Sequence, residues 1–209
     1  MNTERIMALD ISTKTGWAVM VSSPEGISLE KYGTISQMSE PEGQYPHNYV
    51  EWAYACFNEI FKLIHQYNPD VLVIEETSGG SKSNYSQKIL EFIHFLVALW
   101  IKSNNAKCMY LMTEQWRRET GCLMTKEESK HNKMVRQYKE KNETKIAYDT
   151  SGKRIGLLTK KHINIRRANE IFGKFLPTEL RKKDEDTADA LMLGYCYHVR
   201  RMRSLNGPQ

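Results

Sequence analysis

Apolar positions along the chain change period several times, and each change marks an element. Residues 5–11 (RIMALDI) and 16–21 (GWAVMV) are short apolar runs joined by the turn STKT, and 27–35 (ISLEKYGTI) is a third. Together they predict a three-strand meander. Residues 36–48 are polar, with Pro41, Gly43 and Pro46, and read as a loop. Ala53, Phe57, Ile60, Phe61 and Ile64 then recur at helical spacing until Pro69-Asp70 ends the helix. DVLVIEE (70–76) is a continuous apolar run of the kind found in central parallel strands.

The polar loop TSGGSKSN leads into a helix expected over 85–102. It is apolar around most of its circumference, which predicts either full burial or a face given to another subunit. AKCMYLM (106–112) is one more strand, so strand, helix and strand form a right-handed βαβ crossover with a parallel pair. TEQWRRETG reads as a short helix closed by Gly121, 126–141 as a charged helix, and KIAYDTSGKRIGLL as a hairpin turning at Asp149–Gly152. Residues 122–158 lack apolar mass and are expected to be a basic insertion on one domain spanning 1–209. Helices are expected over 159–172, with Gly173 as the stop, and over 184–201.

Composition narrows the class. A chain of 209 residues that is 40% hydrophobic can bury a core without metal or disulfide support. Four scattered cysteines show no paired spacing, which suits packing in a reducing compartment. The polar N-terminus has no signal-peptide pattern, and the most apolar helix candidate, 89–101, contains Glu91 and His94 and is too short to span a bilayer, so an intracellular protein is expected. The net charge of +5 is concentrated: 126–167 holds 13 Lys/Arg against 5 Asp/Glu, and the remainder is slightly acidic. Such a segment suits either a solvated helical face or contact with a polyanion.

Four acids carry the candidate chemistry. Asp10 ends the first strand, and Glu75 ends VLVIE, where open α/β sheets place their ligand sites. Asp186 and Asp189, in RKKDEDTADALML, are three apart on an expected helix and share a face. Each has an ordinary use as well: Asp184 or Asp186 as a helix cap, Glu75 and Glu76 as solvated strand-end charges, Asp10 as a turn brace. Gathered together, they would need a cation, because close carboxylates destabilise one another. An all-oxygen set suits Mg²⁺ or Mn²⁺ rather than zinc.

D-x-S-T-K-T-G-W-A after a strand, V-I-E at a later strand end and D-x-A-D-A-L on a last helix resemble the RuvC-type Holliday junction resolvases of the ribonuclease H-like superfamily, phage or viral members above all. The resemblance implies an α/β fold, a mixed sheet whose first three strands are antiparallel and the rest parallel, flanked by helices. It implies two Mg²⁺ ions, replaceable by Mn²⁺, on Asp10, Glu75, Asp186 and Asp189. It also implies a homodimer, with helix 85–102 as the candidate interface, that nicks a four-way DNA junction twice. Lys161 and Arg118 fall where the family carries basic residues near the scissile phosphate, whereas Trp116 reads as packing. Bacterial members place an aromatic wedge just after the strand-end Glu. That role is open here, for Tyr85 or a residue of the insertion, and Lys82 and Tyr85 complete the expected DNA contacts.

Forks, flaps or RNA–DNA hybrids are alternative substrates, and a non-catalytic junction-binding protein is an alternative role. The opening strand and turn also resemble those of actin-like and sugar-kinase phosphotransferases, but those need two related domains and a second phosphate loop.

Overall fold

Strand β1 (Glu4–Asp10) is buried on both of its faces, and the sheet grows outward from it. The computed structural model describes residues 3–36, 42–77 and 84–205. β2 (Gly16–Ser23) and β3 (Gly26–Thr34) follow β1 as an antiparallel meander, with a register shift between Val19 and Met20. β4 (Val71–Glu75) pairs parallel to β1, and β5 (Cys108–Leu111) parallel to β4. The strand order is therefore β3-β2-β1-β4-β5, the mixed sheet expected.

Alternation divides the side chains of the central strands between two cores. Ile6, Ala8, Val71 and Val73 face one side, and Met7, Leu9, Leu72 and Ile74 the other. Both neighbours of each strand are covered, so the apolar runs are unbroken rather than alternating with polar residues. Each such buried Ile, Leu or Met contributes about 1.5–3 kcal/mol of apolar burial. Asp70 locks the parallel register: its carboxylate accepts from the backbone N–H of Arg5 at 2.6 Å, and its own N–H donates to the Arg5 carbonyl at 2.8 Å.

Helices α1 (His47–Tyr67) and α2 (Asn84–Asn104) cover one face. α1 ends at Asn68, in the left-handed region with φ 41°, whose N–H caps the carbonyl of Ile64 ahead of Pro69. α2 buries one stripe, Ile89, Ile93 and Val97, and exposes another in which Phe95 is 62% and Leu99 51% accessible. Within this chain the helix is thus half covered. No described helix is long and apolar enough to cross a membrane.

The other face carries α3 (Thr113–Glu119), α5 (Lys160–Phe172) and α6 (Glu185–Leu205). α5 ends at Phe172 with Gly173 as its C-cap, as expected. Gly173 keeps right-handed torsions and continues into a 3₁₀ turn, Gly173–Phe175. Between α3 and α5 lie α4 (Lys126–Lys141) and the two-strand hairpin β6 (Ala147–Tyr148) and β7 (Arg154–Ile155), which add no strand to the main sheet. Thr125 and Glu128 close a reciprocal cap at the start of α4. Buried Asn132 ties the helix to the chain leaving the hairpin, through two 2.8 Å bonds with the Leu158 backbone.

α6 lies directly on β1 and β2 because two glycines let it. A Cβ on Gly194 would stand 2.1 Å from Met20 Cε and 3.3 Å from Ala8 Cβ. A Cβ on Gly16 would stand 2.0 Å from the carbonyl oxygen of Asp186, a backbone atom with nowhere to go. At its far end α6 is pinned through Glu4, which accepts from the Tyr197 hydroxyl at 2.8 Å and pairs with Arg201 at 3.2 Å.

Gly16→Ala is therefore expected to destabilise the chain by about 1–3 kcal/mol, the usual cost of overpacking. Gly156→Ala, where an added Cβ meets nothing within 4 Å, is expected to leave stability unchanged. Urea unfolding of the two variants checks both outcomes.

Candidate active site

Two adjacent parallel strands deliver two acids to one end of the sheet. Leu9 and Ile74 are register partners, so Asp10 and Glu75, the next residue of each strand, emerge side by side. α6 brings the other two. Asp186 lies in its first turn beside Gly16, and Asp189, one turn later, is buried. The four carboxyl groups expected to act together converge here.

Their repulsion is visible at Asp10 and at Asp189. Burial raises the Asp10 carboxyl well above the ordinary aspartate range, and Glu75, Asp189 and Asp186 raise it further. A hydrogen bond between the Asp10 and Glu75 side chains raises the Asp10 carboxyl as well. Burial likewise lifts Asp189, to about 6, although a hydrogen bond from Asn164 and the charge of Arg117 oppose it. Among the described residues, no three acidic, histidine or cysteine side chains stand close enough to form a finished ligand shell. The acids are near enough to repel, yet three of them are held by other partners.

Those partners form a second ring. Glu75 accepts from the Thr113 hydroxyl and, at 3.3 Å, from Trp116 Nε1. Asp189 accepts from Asn164 Nδ2 at 2.6 Å and faces Arg117 at 3.7 Å. Asp186 pairs with Lys14 at 3.2 Å. Thr113, Trp116 and Arg117 sit at positions i, i+3 and i+4, so one face of the short helix α3 reaches both Glu75 and Asp189. None of these roles was read from the sequence. The signals were the polar Asn164 inside the apolar stripe Ile163, Ile165 and Ala168, and the single-face spacing of Thr113, Trp116 and Arg117. Trp116 does pack, being fully buried, but its indole N–H also has a function.

The expected basic residues fare differently. Lys161, at the start of α5, pairs with Glu185 and lies within the field of Asp186 and Asp189. Burial opposes its charge, but these acids outweigh burial and hold its proton more tightly. It lines a cleft of about 430 Å³ with Lys160, His162 and Lys182. Arg118 is exposed and lines a second cleft of about 470 Å³ beside Glu76 and Thr113. It is Arg117, not Arg118, that meets the acids. Lys82 and the side chain of Tyr85 lie outside the described residues.

An all-oxygen donor set, repelling itself and partly protonated, fits a hard divalent cation such as Mg²⁺ or Mn²⁺. Asp10, Glu75, Asp186 and Asp189 are the residues that could hold it, and Asn164, whose Oδ1 is buried without a hydrogen-bond partner, stands beside them.

Comparison with known proteins identifies the fold. No protein-family model matches the chain, and no curated protein sequence matches it. Solved structures do. Thermus thermophilus RuvC, in complex with a Holliday junction substrate, aligns over 95% of this chain and 96% of its own, with a TM-score of 0.60 at 12% identity. The yeast mitochondrial Holliday junction resolvase Ydc2 aligns over 97% and 84%, with a TM-score of 0.51 at 12% identity. Fowlpox virus resolvase, with Holliday junction DNA, aligns over 95% and 99%, with a TM-score of 0.50 at 15% identity. The chain thus has the RuvC-type, ribonuclease H-like fold that its motifs resembled.

The raised acids give a pH dependence of definite sign. Folded Asp189 keeps its proton up to about pH 6, whereas an unfolded aspartate loses it near pH 4. The folded state therefore binds more protons in that window, and stability falls as pH rises through it. In chelator, Tm is expected to drop between pH 4.5 and pH 7, at about 2–4 °C per kcal/mol for a chain of this size. Asp189→Asn flattens the trend. Added Mn²⁺ raises Tm more at pH 7 than at pH 4.5, because the ion displaces protons. Scanning fluorimetry across pH reads all three.

Proposed function

We propose that this chain is a divalent-metal-dependent endonuclease that resolves four-way DNA junctions by paired nicks. One observation carries the reading: four carboxylates from β1, β4 and α6 converge at the carboxyl end of the sheet, where burial and the neighbouring acids raise the pKa of Asp10 and of Asp189. The fold shared with resolvases solved on Holliday junctions supports branched DNA as the substrate.

In this reading Asp10, Glu75, Asp186 and Asp189 are the ligands of two ions. Bound there, the ions would activate water and stabilise the leaving 3′ oxygen of the phosphodiester. The chain's own residues do the remaining work. Thr113 and Trp116 fix the rotamer of Glu75, Asn164 fixes that of Asp189, and the close approach of Gly16 sets the depth of Asp186. Such second-ring bonds keep ligands aimed at the ion. Lys161 places a positive charge at the rim, next to the cleft that also holds Lys160 and Lys182, where a strand's phosphates would lie. Arg118, in the other cleft, adds a positive charge beside Glu76 and Thr113.

The basic segment is read as an insertion over 122–158 of a single domain, gripping the junction arms through their phosphates. The exposed apolar stripe of α2, with Phe95 and Leu99, is read as the homodimer interface. A twofold pair would offer one site to each of two symmetric strands.

Incubation with labelled four-way junctions, forks, flaps, hybrids and linear duplex in Mg²⁺ tests the substrate; robust cutting in chelator would end the metal reading. Asp10→Asn, Glu75→Gln and Asp189→Asn are each expected to lower nicking about a hundredfold or more while junction binding persists. A gel-shift assay run beside the cleavage assay separates the two. Phe95→Glu with Leu99→Glu is expected to give a monomer by sedimentation and to replace paired nicks by single ones.

A further inference from the structure

Two of the four acids are held by cations, and neither cation is firmly seated. Arg117 Nη2 stands 3.7 Å from Asp189 Oδ2, beyond hydrogen-bond distance. Its guanidinium lies 4.9 Å from the centre of the Trp116 ring, and its Nε is buried with no hydrogen-bond partner. A buried N–H without an acceptor disfavours this position of the side chain, so the guanidinium can leave it at little cost. Lys14 Nζ is 3.2 Å from Asp186 Oδ2 and donates to the Lys183 carbonyl at 3.2 Å, with its side chain 43% exposed. An exposed lysine of this kind exchanges partners readily.

We propose that Arg117 and Lys14 are exchangeable counter-ions: they hold Asp189 and Asp186 while no divalent ion is bound, yield those carboxylates to the ion, and then turn to the DNA phosphate beside the cut. The proposal rests on the reading of the acids as metal ligands. Four carboxylates at one end of a sheet repel, and a protein without ions needs positive charge there to stay folded. A divalent ion supplies that charge more compactly and leaves both side chains without an acid. The next anion at the site is the phosphodiester, which a guanidinium fork grips through two parallel N–H groups. Arg117 starts with one of its donors already unpaired.

Calorimetric titration of Mn²⁺ into DNA-free protein tests the first half. Arg117→Met and Lys14→Met are expected to bind Mn²⁺ about two- to fivefold more tightly, the scale of a partly exposed ion pair. Junction affinity against salt tests the second half, in Ca²⁺ and in chelator. In Ca²⁺, Arg117→Met is expected to reduce the salt slope by about one phosphate contact, and in chelator to leave it as in the wild type. Unchanged or weaker Mn²⁺ binding, or the same slope change in both buffers, overturns the exchange. If Arg117→Met does not fold, Lys14→Met, altered in a part-exposed turn, carries both measurements. A wild type that takes up no Mn²⁺ is a different result: it removes the metal reading and this proposal with it.

Discussion

Repulsion among Asp10, Glu75, Asp186 and Asp189 is the constraint around which the chain is arranged. Burial alone would favour neutral acids, and each neighbouring carboxyl raises the cost of ionising the next. Asp10 is held well above the ordinary aspartate range, because burial and the carboxyl groups of Glu75, Asp189 and Asp186 all push it the same way. The other three have relief: Thr113 and Trp116 at Glu75, Asn164 and Arg117 at Asp189, Lys14 at Asp186. A site loaded in this way stores the affinity with which it would take a divalent ion.

The scaffold holds that repulsion because its parts are stiff. β1 and β4 are covered on both faces, so Asp10 and Glu75 are fixed by the interlocking of two cores. α6 is clamped at both ends, by the backbone contact at Gly16 and by Glu4 with Tyr197 and Arg201. Asp186 and Asp189 consequently have little freedom to swing away from the strand ends. Preorganisation of this kind is what phosphoryl chemistry needs, where positioning and electrostatics do most of the work.

Much of this was legible in the amino-acid order. The unbroken run VLVIE announced a central strand, the small-residue turn after Asp10 announced a meander, and the spacing of Asp186 and Asp189 placed both on one helical face. The bracing residues were not legible, for physical reasons. Arg117 and Arg118 are adjacent, and only the rotation of α3 decides which one faces inward. Asn164 and Lys14 act across distances in sequence that no local pattern spans. Gly173 did end α5, although by a 3₁₀ turn in right-handed torsions, because a glycine permits the left-handed turn but does not impose it. The apolar girth of α2 allowed two outcomes, and the structure divides it between them, one stripe to the core and one to the surface.

The order in which the chain supplies its acids has a consequence for synthesis. β1 and β4 emerge early, but α6 comes after every other element described here, and it carries half of the carboxylates together with the lid over Ile6, Ala8, Ala18 and Met20. A polypeptide still being translated therefore has two strand-end acids, no partners for them, and a greasy sheet face open to water. Such an intermediate leaves apolar surface exposed until α6 docks. The full set of four carboxylates arrives only with the segment that also completes the fold.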